Sequence, residues 1–335
     1  MTRETPWVEH PLRVPPERIY WQVGDEGPKP ISTSPHAKGA REILAGTPPG
    51  ETAYAREICD EQAGCHGKPA AFAALISSMR EVGYKGEGVI AGINRRGEVV
   101  LHDGMHRSCA ALACGLETIP VRVHFRDEDW IAFRWAVAHL NGGFKLYQPL
   151  DHPDFGWPCW RKDTGTRVAL ISMFLKRRDV STVLDIGCHG GAISHGLARR
   201  GFRVDGLDRN PLAIRAAQLQ AGMTHIGSTA MFHQGDHTLE GLRADAVVCL
   251  SALNHAYVKG KGEEMLRRLV ELAPVLILDC PVPGDPVGGS TDMADAEKFR
   301  GWVDATVGGR PMQIGSTNDG LQRPLFLWER KEQAI

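Results

Sequence analysis

VLDIGCHGG, residues 183–191, decides the fold of this chain. An apolar run meets an acid, Asp185, then glycines, then a helical stretch that runs to Arg200. That order places a tight turn at the carboxyl end of a strand, where open α/β sheets bind ligands. Glycine lets a ligand approach the backbone closely. Downstream the same rhythm repeats. FRVDGLD (202–208) reads as a second strand and PLAIRAAQLQ (211–220) as a helix; AMFHQGD (230–236), ADAVVCLSAL (244–253) and VLILDC (275–280) read as three further strands. MQIGST and LFLWER, joined by a turn at NDGLQR, close the chain as an antiparallel edge hairpin. Strands alternating with helices predict a doubly wound, Rossmann-like parallel sheet from residue 165 to 335.

The turn does not suit a dinucleotide. Pyrophosphate would have to sit at the helix start, where Asp185 would repel it, and Gly187, Gly190 and Gly191 miss the Gly-x-Gly-x-x-Gly spacing. An acid welcomes a cationic ligand, and S-adenosylmethionine carries a sulfonium and an amino group and no phosphate. Asp208 ends the second strand and can accept both ribose hydroxyls. Asp236 ends the third and can take the adenine amino group. Asp185, Gly187, Cys188, His189 and Gly191 of the turn, with Ser251 after the fourth strand, complete the expected cofactor contacts. Each acid alone reads equally well as a strand end or helix cap; three at successive strand ends point to a shared site. LDIGCHGG, GLD, GD and the final strand pair, over about residues 160 to 330, resemble the class I S-adenosylmethionine-dependent methyltransferases. His189 stands where that family has its second loop glycine, which narrows the backbone options there.

The resemblance implies methyl transfer, a displacement that needs alignment of a nucleophile and sometimes removal of a proton. CLSALNHAY ends the fourth strand and brings His255 to the same sheet edge as a candidate base, with Asn254 or Tyr257 to orient substrate. The other reading of His255 is a cap on the following helix. His189 and His233 are weaker candidates. No paired cysteines or metal-ligand cluster appear, so metal-free chemistry on oxygen or nitrogen is expected. Trp157, Trp160, Arg161 and Arg167, with the loop PVPGDPVGGSTD, are candidate substrate walls. Arginine beside aromatics can hold an anionic or planar group; helix-surface charge is the alternative.

Upstream, residues 1–126 read as a separate domain. The stretch to Pro69 is rich in proline and glycine and reads as turns and short elements. A helix is predicted over 70–82, strands over 89–93, 98–102 and 119–125, and a helix over 106–114 ended by Gly115. Residues 127–164 read as a bridge of one amphipathic helix and an aromatic loop. GEVVLHDGMHRSCAALACGLETIPVRV, within about residues 8 to 126, resembles the ParB/sulfiredoxin superfamily, an α+β fold. There the helix starting at the His-Arg pair binds nucleotide phosphates. The resemblance implies phosphate contacts at Asp103, His106 and Arg107, and ATP with a magnesium ion at Asp103. Asp103 as a helix cap with Arg107 as a surface charge is the alternative reading. Met105 stands where sulfiredoxins carry their cysteine, which removes sulfinic acid reduction. A small-molecule kinase with Glu17 or Glu26 as base, a nucleotide sensor and a substrate-binding scaffold all remain open.

The formal net charge of the 335 residues is -1, and residues 1–126 hold 15 lysines and arginines against 15 acids, so no field favours nucleic acid. No apolar run approaches the ~20 residues a membrane helix needs, and the first residues lack a signal-peptide core. A cytoplasmic location is the expectation. The eight cysteines form no Cys-x-x-Cys pair, and buried free thiols are the reading; Cys59, Cys65 and His66 amount to half a zinc site. The expectation is a methyltransferase for a small molecule or chain terminus, fused to a nucleotide- or phosphate-binding domain. The alternative is a DNA-associated regulator, against which Leu253-Asn254-His255-Ala256 stands where amino-methylating DNA enzymes carry Asp/Asn-Pro-Pro-aromatic. Oligomeric state is left open.

Overall fold

The computed structural model describes residues 11–59, 68–223, 229–238, 240–285, 288–317 and 322–330. The chain divides into two compact units, residues 1–134 with 152–156 and residues 135–151 with 157–335. The expected bridge, 127–164, is therefore shared between them.

The first unit carries strands β1 (Leu12–Val14), β2 (Ile19–Val23), β3 (Gly27–Pro30), β4 (Val89–Ile93), β5 (Val99–Asp103) and β6 (Ile119–Arg126). They form one mixed sheet in the order β1-β6-β4-β5-β2-β3. Helices α1 (Pro35–Leu44), α2 (Lys68–Val82) and α3 (Met105–Ala113) belong to the same unit. The Pro-rich N-terminal stretch thus holds three strands and a helix that its composition disguises. Pro28 and Pro30 sit in β3, an edge strand, the place where a missing ladder donor is tolerated. Pro35 starts α1 at its first turn, and the Ser34 hydroxyl accepts from the Ala37 N–H at 3.1 Å. Gly39 inside α1 looks like a breaker. It is needed there, because a Cβ at that position would lie 2.6 Å from the Tyr54 Cβ. The short segment His152–Gly156 is tied to this unit by Asp154. Its buried carboxylate pairs with Arg126 at 2.8 Å and Arg134 at 2.7 Å and accepts from the Trp130 indole at 2.8 Å. Helix α4 (Glu128–Leu140) contains the division between the units.

The second unit begins its regular structure with α5 (Thr164–Lys176), then alternates β7 (Thr182–Ile186), α6 (Ala192–Ala198), β8 (Arg203–Asp208), α7 (Pro211–Met223) and β9 (Ala230–Gln234). β10 (Ala246–Cys249), α8 (Ala252–Val258), α9 (Gly262–Leu272), β11 (Val275–Asp279), α10 (Ala296–Val307), β12 (Met312–Ser316) and β13 (Pro324–Glu329) follow. The sheet order is β12-β13-β11-β10-β7-β8-β9, with β7 to β11 parallel and β13 antiparallel to both its neighbours. The closing hairpin therefore has only one strand at the edge, because β13 is inserted beside β11. Residues 318–321 of its turn lie outside the described residues. β10 and β11 are buried at every position, as strands covered on both faces must be. Alternate residues feed two cores. Val183, Val204 and Val248 pack with α5, α6 and α7, while Leu184, Leu207 and Val247 pack with α9 and α10. Two sequence boundaries move. The run read as one strand over 244–253 stops at Cys249, because Ser251 takes a left-handed φ of 67° and α8 starts behind it. Where one helix was expected after His255 there are two, α8, which contains His255, and α9, and α10 was not anticipated. Among the described residues no helix is long and apolar enough to cross a membrane.

Candidate active site

The strand order reverses at β7. β8 lies to one side and β10 to the other, which opens a crevice at their carboxyl ends. The turn after β7 is pinned to β8: the Gly187 and Cys188 N–H groups both donate to the Leu207 carbonyl, at 2.8 and 3.0 Å. Gly187 has φ 78°, and a Cβ there would meet the Ala252 Cβ at 2.8 Å. His189 adopts φ 51°, a region open to histidine at modest cost. Its N–H donates to Asp208 Oδ2 at 2.9 Å, and its ring lies 5.2 Å from that of Tyr147. Gly191, at φ 76°, begins α6, and a Cβ on it would lie 2.8 Å from the Phe232 ring.

Above this turn lies a cavity of about 880 Å³, wholly within the second unit. Of the residues expected from sequence, Gly187, His189, Asp208, Asp236, Ser251 and His255 line it. Asp185, Cys188 and Gly191 do not. Asp185 lies in β7 beneath the turn, and Cys188 and Gly191 are turn residues outside the lining. Asp185 is 3% exposed and accepts from the Ser194 hydroxyl at 2.5 Å. Burial, with a smaller push from Asp208, raises its pKa to about 6 against the Ser194 bond. The Cys188 thiol is pushed up by burial. Asp208 presents its carboxylate to the cavity with one oxygen held by His189 and the other by the Asn210 N–H at 2.8 Å. Asp236 lies two residues past β9 and pairs with Arg209 at 2.5 Å. Burial would raise it, but Thr238 and Arg209 outweigh that and hold it at about 2.

On the other side of the crevice Ser251 links buried charges. Its N–H and hydroxyl donate to Asp279 at 2.5 and 3.2 Å, while Arg161 and Arg323 donate to its Oγ at 3.3 and 3.2 Å. Arg323 also pairs with Asp285 at 2.5 Å. Burial raises Asp279, opposed by the Ser251 bonds and by Arg161 and Arg167. Arg161 and Arg167 are 1% and 2% exposed and line the cavity, so neither is helix-surface charge. His255 is exposed within α8 and faces the cavity; it caps no helix. Asn254 lines the cavity with its Oδ1 buried and, among the described residues, without a hydrogen-bond partner. Tyr257 instead packs on Trp302 and Trp157 on Phe144, both outside the lining, and His233 pairs with Asp205 at 3.2 Å. Asp279 carried the same signal as Asp208, an acid at a strand end. Asp285 lies in the loop PVPGDPVGGSTD expected to wall the substrate, whereas Arg323 carried no signal, because loops distant in sequence bring the two together.

In the first unit Gly104, at φ 98°, precedes α3, and a Cβ on it would overlap Val89. A cavity of about 290 Å³ is lined by residues 101–107, which include Asp103, His106 and Arg107. Gly104, not Asp103, is the N-cap residue of α3. Arg107 donates to the Glu87 carbonyl at 2.8 Å and pairs with Asp103 at 3.4 Å. His106 Nε2 meets the Tyr54 hydroxyl at 2.8 Å, and burial lowers its pKa. Cys65 and His66 lie outside the described residues. Among the described residues no cluster of three or more His, Cys, Asp or Glu could hold a metal ion. Four of the cysteines, Cys109, Cys188, Cys249 and Cys280, are buried free thiols.

Residues 183–273, from β7 to the end of α9, match the family model of a methyltransferase domain. The ubiquinone biosynthesis O-methyltransferase of Alkalilimnicola ehrlichii is 35% identical over 111 residues, which are 31% of this chain and 43% of that protein. That of Pseudomonas paraeruginosa is 39% identical over 77 residues, 22% of this chain and 33% of the other. The chain spans less than half the length of these curated relatives. Among solved structures, the bifunctional kinase-methyltransferase WbdD aligns at 24% identity with a TM-score of 0.47, covering 57% of this chain and 45% of the other. Magnesium protoporphyrin IX methyltransferase from Synechocystis PCC 6803 aligns at 20% identity with a TM-score of 0.42, covering 50% and 83%. By the family match, residues 183–273 of the second unit carry a methyltransferase domain of the class I S-adenosylmethionine-dependent kind.

Proposed function

We propose that the chain transfers a methyl group from S-adenosylmethionine to an oxygen or nitrogen of a small molecule. The observation that carries this is Asp208: a carboxylate anchored through both oxygens by backbone N–H groups at the end of β8, facing a large cavity beside a glycine turn. Its remaining lone pairs accept the two ribose hydroxyls. Asp236 takes the adenine amino group, and the turn through Gly187 and His189 leaves room for the backbone to approach the ligand. A carboxylate-lined mouth suits a cationic nucleoside and opposes pyrophosphate. S-adenosylmethionine, when bound, supplies an activated methyl on a sulfonium. On the β10 side Asn254 lines the cavity beside His255. His255 takes the proton of the incoming hydroxyl or amine as the bond to the methyl forms and the bond from the methyl to sulfur breaks.

The first unit belongs to this reading as a phosphate-binding module of the ParB/sulfiredoxin-like kind. The N-terminus of α3 directs free N–H groups and a positive dipole end at the cavity beside Arg107, with ATP and magnesium as the ligand to test. Weakened binding of an ATP analogue in Arg107→Ala supports it, and no binding by the wild type leaves a scaffold.

The decisive experiment incubates the protein with labelled S-adenosylmethionine and cell extract. Label should enter small molecules, and His255→Gln should slow this ~100-fold, within the usual range for a lost general base. Label in nucleic acid or protein overturns the small-molecule assignment. An unslowed His255→Gln removes that residue from the chemistry.

A further inference from the structure

Resting on the methyl-transfer reading, we infer that the acceptor is a flat apolar molecule bearing an anionic group, which Lys259 and Lys261 receive. The chain as a whole is slightly acidic, with a formal net charge of -1. The cavity wall is the reverse: seven lysines and arginines against four acids. Several of these cancel locally. Arg209 faces Asp236, Arg323 faces Asp285, and Arg167 is paired from behind by Asp163 at 3.2 Å. Lys145, exposed after α4, also lines the wall without a carboxylate within 4.0 Å among the described residues, but Lys259 and Lys261 stand together. Both are exposed, both line the cavity, and among the described residues neither ammonium has a carboxylate within 4.0 Å. Lys259 follows α8 directly, one turn beyond His255, the proposed base, and Lys261 stands two residues on at the start of α9. Glu264 in α9 opposes them and leaves a net positive charge.

Charge is therefore divided along the crevice. The acids Asp208 and Asp236 stand where β8 and β9 end, and the unpaired lysines stand on the β10 side. S-adenosylmethionine is itself cationic, so it does not call for these ammonium groups. An anionic acceptor does, because opposite charge draws it to the mouth and away from the cofactor's acids. The body of the acceptor is read from the apolar wall. Trp160 is 59% exposed yet lines the cavity, with its backbone N–H fixed to the Leu146 carbonyl at 2.8 Å. Ala256 and Met265 add apolar surface. A solvent-facing indole held at the rim is a platform for a planar group.

The full chain, saturated with S-adenosylhomocysteine so that the cofactor side is filled, is titrated with two fluorescent probes of one shape. Anilinonaphthalene sulfonate carries a negative charge, and phenylnaphthylamine lacks it. The sulfonate should bind about tenfold more tightly, roughly threefold for each screened ammonium. The double variant K259A/K261A should abolish that preference and leave affinity for S-adenosylhomocysteine unchanged. Trp160→Ala should weaken both probes alike. Equal affinity of the two probes for the wild type, or an unchanged ratio in the double variant, overturns the inference while the methyl-transfer reading stands. Failure of the wild type to bind S-adenosylhomocysteine at all sinks both.

Discussion

Replacing Asp208 tests the cofactor site at its most committed atom. Both carboxylate oxygens are already fixed, at 2.9 Å by the His189 N–H and at 2.8 Å by the Asn210 N–H, so the group is preorganised before any ligand arrives. Two ribose hydroxyls then add charge-assisted bonds. Each is worth about 1.5 kcal/mol net at the low end for a charged acceptor, so Asp208→Ala should cost about 3 kcal/mol, or ~150-fold in Kd. Asp208→Asn keeps one acceptor oxygen and should cost about half, roughly tenfold. It also turns an amide NH2 toward a backbone N–H, donor against donor, which loosens the turn at His189. Calorimetric titration with S-adenosylhomocysteine reads both variants, and urea unfolding reads the turn separately. A Kd for Asp208→Ala within threefold of wild type, with the fold intact, would show that the ribose does not rest on this residue.

Gly187→Ala must place a side chain at φ 78° and 2.8 Å from the Ala252 Cβ. The left-handed backbone and the overlap together should destabilise the second unit by about 2–4 kcal/mol in urea unfolding; a neutral result would mean that the turn relaxes freely. Asp154→Ala leaves Arg126 and Arg134 facing each other at a buried site and should cost about 3–5 kcal/mol. An unshifted urea midpoint for the first unit would refute that. Burial lowers His36 and His152 in the first unit and His195 in the second to about 4, from an unfolded value of 6.5. Between those values the unfolded chain binds more protons, so stability is full above pH 6.5 and falls as pH drops toward 4. Urea midpoints that stay flat across this window would contradict the burial of these rings.

The second unit was legible because its signals are local. Strands such as VLILD and AVVC are short apolar runs closed by turns or acids, and the Gly187 turn announces itself by composition. The acids at successive strand ends could be lined up from the alternation alone. What escaped was of two kinds. Helix α1 hid behind a proline and a glycine whose meaning is positional: Pro35 starts the helix, and Gly39 makes room for Tyr54. Asp185 looked identical to Asp208 in sequence, yet one is buried under the turn and the other faces the cavity.

Local covalent order and period thus determined that β7 to β11 form a wound parallel sheet with a glycine turn after β7, since backbone hydrogen bonding and side-chain alternation act over a few residues. Only tertiary packing decided which acids reach the cavity, that Arg161, Ser251, Asp279 and Arg323 meet, and that Lys259 and Lys261 face the crevice. Those depend on the approach of segments far apart in sequence, whose burial and charge pairing no local pattern encodes.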